Sequence, residues 1–146
     1  MTRILALDVG AKRIGIAVSD PTGSMAQPLM VLDRRKDSSE IGRISELVDE
    51  YSVSEVVVGL PLSLAGEMGP QAREVLDYIN ELKGNLKVPV RTWDERLTTS
   101  FAERALVESD VRRKQRKQVI DKVAATLILQ GYLDYRGQKE RKAESG

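Results

Sequence analysis

The segment Ile4 to Asp20, ILALDVGAKRIGIAVSD, restricts the possible folds more than any other part of the chain. An apolar, β-forming run leads to Asp8, the chain turns through Gly10 to Arg13, and a second such run extends from Ile14 to Val18. This is the pattern of a β-hairpin with a carboxylate where its first strand ends. Asp8 stands between Leu7 and Val9 in a nearly continuous apolar strand, as expected when both faces of a sheet are covered. A carboxylate in that position needs a partner, and helix caps, arginines and metal ions are the usual ones.

Downstream, Pro21 to Ser24 reads as a turn, and Pro28 to Leu32 as a third, edge strand that Pro28 can open. Arg34, Arg35 and Lys36 form an exposed basic corner. Asp37, Ser38 and Ser39 offer N-caps for a helix with Ile41, Ile44, Leu47, Val48 and Tyr51 on one face. Glu55 to Leu60 is a short buried strand stopped by Pro61. The loop PLSLAGEMG leads to a second helix, opened by Pro70, lined by Ala72, Val75, Leu76, Ile79 and Leu82, and closed by Gly84. Val88 to Trp93 is a fifth strand that runs into Asp94 and Glu95. A helix is expected over Thr98 to Val107, and a last one from about Lys117 to Tyr135 that buries Ile120, Val123, Ala124, Leu127 and Gly131. Residues 1–136 are expected to form one domain, and the polar residues 137–146 a disordered tail.

Hairpins make the first three strands antiparallel, whereas helical crossovers set the fourth and fifth parallel to the first. The economical result is an α/β fold with a mixed five-stranded sheet of order 3-2-1-4-5, strand 2 antiparallel, and helices on both faces. In such sheets the active crevice lies beyond the carboxyl ends of the parallel strands, where the winding direction switches. Asp8 and Glu95 both fall there.

The 146 residues include no cysteine and no histidine. This excludes disulfides, thiolate zinc sites and the Ser-His and Cys-His dyads, so catalysis must run on carboxylates, lysines, hydroxyls or a metal. No basic-then-apolar leader and no apolar run of membrane-spanning length is read, and a soluble cytoplasmic protein is the expectation. The 23 basic and 22 acidic residues nearly cancel, so only local clusters can mark a nucleic-acid surface.

At about 100° per residue, Asp121 lies close to Ile128 around the last helix, at the border of its apolar stripe. Asp8, Glu95 and Asp121 can therefore converge. Hard divalent cations, Mg²⁺ or Mn²⁺, take oxygen ligands, and two such ions can activate water and stabilise the leaving oxygen in phosphodiester cleavage. If strand four separates strands one and five, their ends lie roughly 10 Å apart, a gap that Glu closes better than Asp at position 95. Each acid also has an ordinary reading: Asp8 as a turn residue, Glu95 paired with Arg96 or Arg91 or capping the next helix, Asp121 paired with Lys117 or Lys122. It is their joint placement that points to metal chemistry. Arg112, Arg113, Lys114, Arg116, Lys117 and Lys122 precede or adjoin Asp121, and Lys12 and Arg13 adjoin Asp8; these cations suit phosphate contacts. Trp93 belongs in the core. Gly59, Gly66 and Gly69 could let backbone approach a ligand.

The motifs DVGAKRIGIAVSD, VVVGLPLSLAGEMG and DERLTT, with the later Asp121-Lys122-Val123-Ala124-Ala125, closely resemble the YqgF family, also called RuvX or the pre-16S rRNA nuclease family, from about Arg3 to Tyr135. The resemblance implies an RNase H-like fold and a cytoplasmic bacterial nuclease associated with maturation of the 5′ end of 16S rRNA or with resolution of Holliday junctions; branched DNA is two-fold symmetric, so a resolvase is expected to act as a homodimer. It maps the acids to Asp8, Glu95 and Asp121, and Arg96 joins the nucleic-acid contacts. Where related RNase H-like enzymes often carry a carboxylate at the end of the fourth strand, this chain has Gly59-Leu60-Pro61. Two other function classes fit parts of the sequence. The Asp-x-Gly hairpin is similar to the phosphate loop of sugar kinases and actin-like ATPases, which need a second domain. A non-catalytic RNA-binding module could also retain the fold.

Overall fold

The computed structural model describes residues 3–63, 65–97, 123–137 and 139. Five strands form one sheet in the order β3-β2-β1-β4-β5. β1 (Arg3–Val9) is central and pairs antiparallel with β2 (Arg13–Ser19), which pairs antiparallel with β3 (Ala26–Asp33). β4 (Val53–Leu60) joins β1 in parallel, and β5 (Val90–Asp94) joins β4 in parallel. The expected order and directions therefore hold.

The two crossovers supply helices α1 (Glu40–Glu50) and α2 (Pro70–Asn85). Both pack on one sheet face, where Leu5, Leu7, Ile14, Ile16, Val56 and Val58 meet Ile41, Ile44, Leu47, Val75, Tyr78, Ile79 and Leu82. Burial of each such Leu or Ile contributes about 1.5–3 kcal/mol. The opposite face is narrower and lined by smaller residues. Ile4, Ala6, Ala17 and Val57 pack there with Trp93 and with Ala125, Ile128, Leu129 and Leu133 of a helix, α3, over residues 123–137. Helices thus cover both faces.

Several boundaries differ from expectation, for local reasons. β3 starts at Ala26, so Pro28 lies inside the strand; it is tolerated because β3 is an edge and the register with β2 shifts between Ile16 and Ala17. Ser39 occupies the N-cap of α1 without a side-chain cap bond, while Asp37 Oδ1 accepts the Ser39 N–H at 3.1 Å. α2 begins at Pro70 as expected but passes Gly84 and ends at Asn85. It buries Tyr78, which the apolar stripe omitted, because the phenol hydroxyl finds a carboxylate in Glu40.

The largest correction concerns α3. Val123, Ala124, Leu127 and Gly131 are only half-buried, and Ala125, Ile128, Leu129 and Leu133 form the buried face instead. At about 100° per residue, that face lies on almost the opposite side of the helix from the expected one. Both sides carry apolar residues, so periodicity alone could not select between them. The expected helix over Thr98 to Val107, Ile120 and most of the tail lie outside the described residues. No helix among the described residues is long and apolar enough to cross a membrane.

Candidate active site at the carboxyl end of the sheet

Side-chain alternation decides which way the strand-end acids point. Leu5, Leu7 and Val9 belong to the α1-α2 side, and Ile4 and Ala6 to the α3 side. Asp8 therefore points to the α3 side, half-buried. On β4, Val57 faces α3, so Gly59 does too. The last β1-β4 pair is Leu7 with Val58, which puts Asp8 level with Gly59, about 4.8 Å across the strands. Gly59 in turn pairs with Trp93 on β5, and the chain then enters a 3₁₀ turn, Glu95–Leu97.

Gly59 explains how a residue beyond β5 reaches the neighbourhood of β1. A Cβ built on Gly59 would lie 2.7 Å from Glu95 Oε1, 3.1 Å from Glu95 Cγ and 2.5 Å from Ile128 Cδ1. The Glu95 side chain folds back over β4, and Ile128 of α3 closes in from above. The glycine is thus filled from within the chain and does not admit a ligand. The fourth strand, which ends in Gly59-Leu60-Pro61 with no carboxylate, gives the space at position 59 to Glu95. The argument from side-chain length at position 95 agrees with this geometry.

Arg91 and Arg96 each bind another acid. Arg91 Nε donates to Glu55 Oε2 at 2.7 Å, and Arg96 Nη2 donates to Asp94 Oδ2 at 2.6 Å. The Arg96 guanidinium beside Asp94 holds that carboxyl below the usual carboxylate range. Arg96 also lies against Gly66, whose hypothetical Cβ would sit 2.9 Å from Nη1. Gly66 has φ +82°, and the loop around it is closed by bonds from the Gly66 N–H to the Ser63 carbonyl (2.8 Å) and from the Glu67 N–H to Ser63 Oγ (3.0 Å). Gly66, like Gly59, accommodates a side chain of this chain; Gly69 has open space around its Cβ position.

On the other flank of Asp8, the hairpin turn is held by a bond from the Gly10 N–H to the Arg13 carbonyl at 2.8 Å. Lys12 is exposed on the turn and Arg13 half-buried. Arg34, expected on an exposed basic corner, is instead half-buried and donates from Nη1 to the Gly10 carbonyl at 3.0 Å. Sequence reasoning missed it because Arg34, Arg35 and Lys36 look alike in a row, although only Arg35 and Lys36 are exposed.

Asp121, Arg112, Arg113, Lys114, Arg116, Lys117 and Lys122 lie outside the described residues. Among the described residues no group of three or more His, Cys, Asp or Glu could hold a metal ion. What is assembled is a pair, Asp8 and Glu95, on one face at the crevice end of the sheet. Their oxygens suit a hard divalent cation, and the chain has no nitrogen or sulfur ligand from His or Cys to select a softer one. Trp93 is buried in the α3-side core, as expected.

A family model described as RuvX, Holliday junction resolvase, matches residues 2–135. A protein of Desulforudis audaxviator named "Putative pre-16S rRNA nuclease" is 48% identical over 134 residues, 92% of this chain and 95% of that protein. A protein of the same name from Halothermothrix orenii is 48% identical over 136 residues, 93% of this chain and 97% of its own length. Among solved structures, Thermus thermophilus RuvC in complex with a Holliday junction substrate superposes with a TM-score of 0.55 at 17% identity, covering 92% of this chain and 96% of that one. The fowlpox virus Holliday junction resolvase gives 0.51 at 15% identity, covering 92% and 99%. The fold is therefore that of the RuvC-like, RNase H-type resolvases.

Proposed function

The chain belongs to the RuvX family, and on that premise we propose that it is a nuclease hydrolysing phosphodiester bonds in structured nucleic acid, foremost in 5′-end processing of pre-16S rRNA in the cytoplasm. The observation that carries the reading is Glu95 folded over Gly59 beside Asp8, which gathers acids from β1 and from the turn after β5.

Asp8 and Glu95, joined by Asp121, are the residues that would hold Mg²⁺ or Mn²⁺. When bound, such an ion supplies an activated water and charge stabilisation at the leaving oxygen. In the sequence Asp121 stands seven positions before the buried Ile128, the spacing that repeats on one face of an α-helix, and this supports its place in the set. Ile128 and the α3-side core exclude water from beneath the acids. Lys12, Arg13 and Arg96 flank them, and with Arg112, Arg113, Lys114, Arg116, Lys117 and Lys122 they are the proposed phosphate contacts.

The family description favours one second reading, resolution of branched DNA. A four-way junction is two-fold symmetric, so that activity calls for a homodimer. The deciding experiment offers a structured pre-rRNA leader and a four-way DNA junction with Mg²⁺, Mn²⁺ or chelator, to wild type and Asp8→Asn. Divalent-dependent cleavage of at least one substrate, lost in the variant, is expected, and the better substrate decides between the readings. Equal cleavage by the variant sinks the carboxylate assignment.

A further inference from the structure

A side chain just beyond β3 ties the turn that follows Asp8 to the rest of the fold. Arg34 Nη1 donates to the Gly10 carbonyl at 3.0 Å, and the Arg34 backbone N–H donates to the Lys12 carbonyl at 2.8 Å. Its guanidinium lies 4.7 Å from the centroid of the Tyr78 ring, which is 2% exposed. The Tyr78 hydroxyl donates to Glu40 Oε2 at 2.6 Å, and Glu40 Oε1 accepts the Arg35 N–H at 3.0 Å. A chain of contacts therefore runs from the α2 core through Tyr78 and Arg34 to the turn 10–13. Glu40 fixes its base from α1.

Nothing in the fold alone demands this. A four-residue hairpin turn closes through its own Gly10 to Arg13 bond, and an arginine on a strand end costs least in water. Here the guanidinium gives up solvent to cover an aromatic ring and hold a turn carbonyl, an arrangement that Lys, a point charge without a planar fork, cannot reproduce.

We propose that Arg34 is a positioning residue: it sets the turn Gly10–Arg13 so that Lys12, exposed at its tip, meets the nucleic-acid backbone beside Asp8. Arg34 acts through the turn and touches no substrate itself. The proposal rests on the nuclease reading for its purpose, and on the hydrogen bonds and ring contact for its mechanics.

The test uses the full chain with Arg34→Met, which keeps an apolar cover over Tyr78, and Arg34→Lys, which keeps the charge. Amide hydrogen exchange of residues 10–13 is expected to accelerate about tenfold in both, with the α1 and α2 cores unchanged. For a cleaved substrate, KM is expected to rise about tenfold in Arg34→Met with kcat within twofold, and Arg34→Lys to recover little of it. The same Arg34→Met change made in Lys12→Ala should then have almost no further effect, because both remove one contact. Unchanged exchange at 10–13, effects of Arg34 and Lys12 that simply add, or full rescue by Arg34→Lys would each overturn the proposal. A wild type that neither binds nor cuts nucleic acid refutes the nuclease reading instead, and the exchange data still decide whether Arg34 holds the turn.

Discussion

The two ends of the sheet carry acids that are placed in different ways. At the amino end of the parallel strands, Glu55 is 8% exposed and accepts from Arg91 Nε (2.7 Å), Arg136 Nη1 (2.9 Å) and the Tyr132 hydroxyl (3.0 Å). Asp20, which follows β2 at the same end, accepts from Thr22 Oγ1 at 2.6 Å and from the Ser24 and Met25 N–H groups at 2.9 and 3.1 Å. At the carboxyl end, Asp8 is placed by strand register and Glu95 by the missing side chain of Gly59. One end commits its carboxylates to arginines, a phenol and a turn, as a structural joint does. The other pairs Asp94 with Arg96 and brings the Glu95 side chain over β4, beside the Asp8 strand, through the space that Gly59 leaves.

This contrast is sharpest at Glu95. Glu95→Gln is expected to lower kcat by at least about a hundredfold in a nuclease assay while the melting temperature stays within a few degrees. A large fall in stability with activity intact would make Glu95 another joint and erase the difference between the ends. Next in size is Gly59→Val, whose branches meet Glu95 Oε1 and Ile128 Cδ1. Cleavage is expected to fall by about tenfold or more, and overpacking to cost about 1–3 kcal/mol in chemical denaturation.

At the other end the pattern reverses. Glu55→Gln leaves Arg91 and Arg136 with a neutral partner at a buried position, and is expected to cost about 2 kcal/mol of stability with kcat unchanged. Activity loss on that scale, without unfolding, would show that the ends are coupled. The smallest effect belongs to Asp20. Its hydrogen bond from Thr22, followed by that from Met25, lowers its pKa from 3.8 to about 2. A carboxyl with a depressed folded pKa adds stability that is complete above its unfolded value and lost as pH falls through the folded one. The small advantage of wild type over Asp20→Asn, followed by denaturation between pH 6 and 2, should therefore shrink from about pH 4 downward.

Much of the frame was legible in the residues. The hairpin at Gly10, the crossovers after Leu32 and Leu60 and the Pro70 helix start fixed the order of five strands, because connection length and handedness leave few alternatives. The placement of Asp8 and Glu95 at one end of the sheet followed from that order. Three features were illegible for related reasons. The buried side of α3 could not be chosen between Val123-Ala124-Leu127 and Ala125-Ile128-Leu129, since what decides it is the shallow floor of Ala6 and Ala17 supplied by other strands. Gly59 looked like an opening to ligand, and only the return of Glu95 from the next strand shows what fills it. Arg34 looked solvated because a run of cations gives no sign that one member has an aromatic ring 44 positions away to lie on. Local pattern reports an element's type, and the use made of a particular side chain is set by distant neighbours.

The central position of β1 has a bearing on how the protein is made. The β1-β2-β3 meander needs only neighbouring residues, so it can form while later segments are still emerging from the ribosome. Asp8 is present in that early piece. Its companion Glu95 arrives 87 residues later and reaches it only after β4 has inserted beside β1 and β5 beside β4. A nascent chain thus carries Asp8 without Glu95 until β4 and β5 are made, and the acid pair is complete only after both have docked. On the proposed nuclease reading, the acid pair is then the last part of the crevice to be assembled.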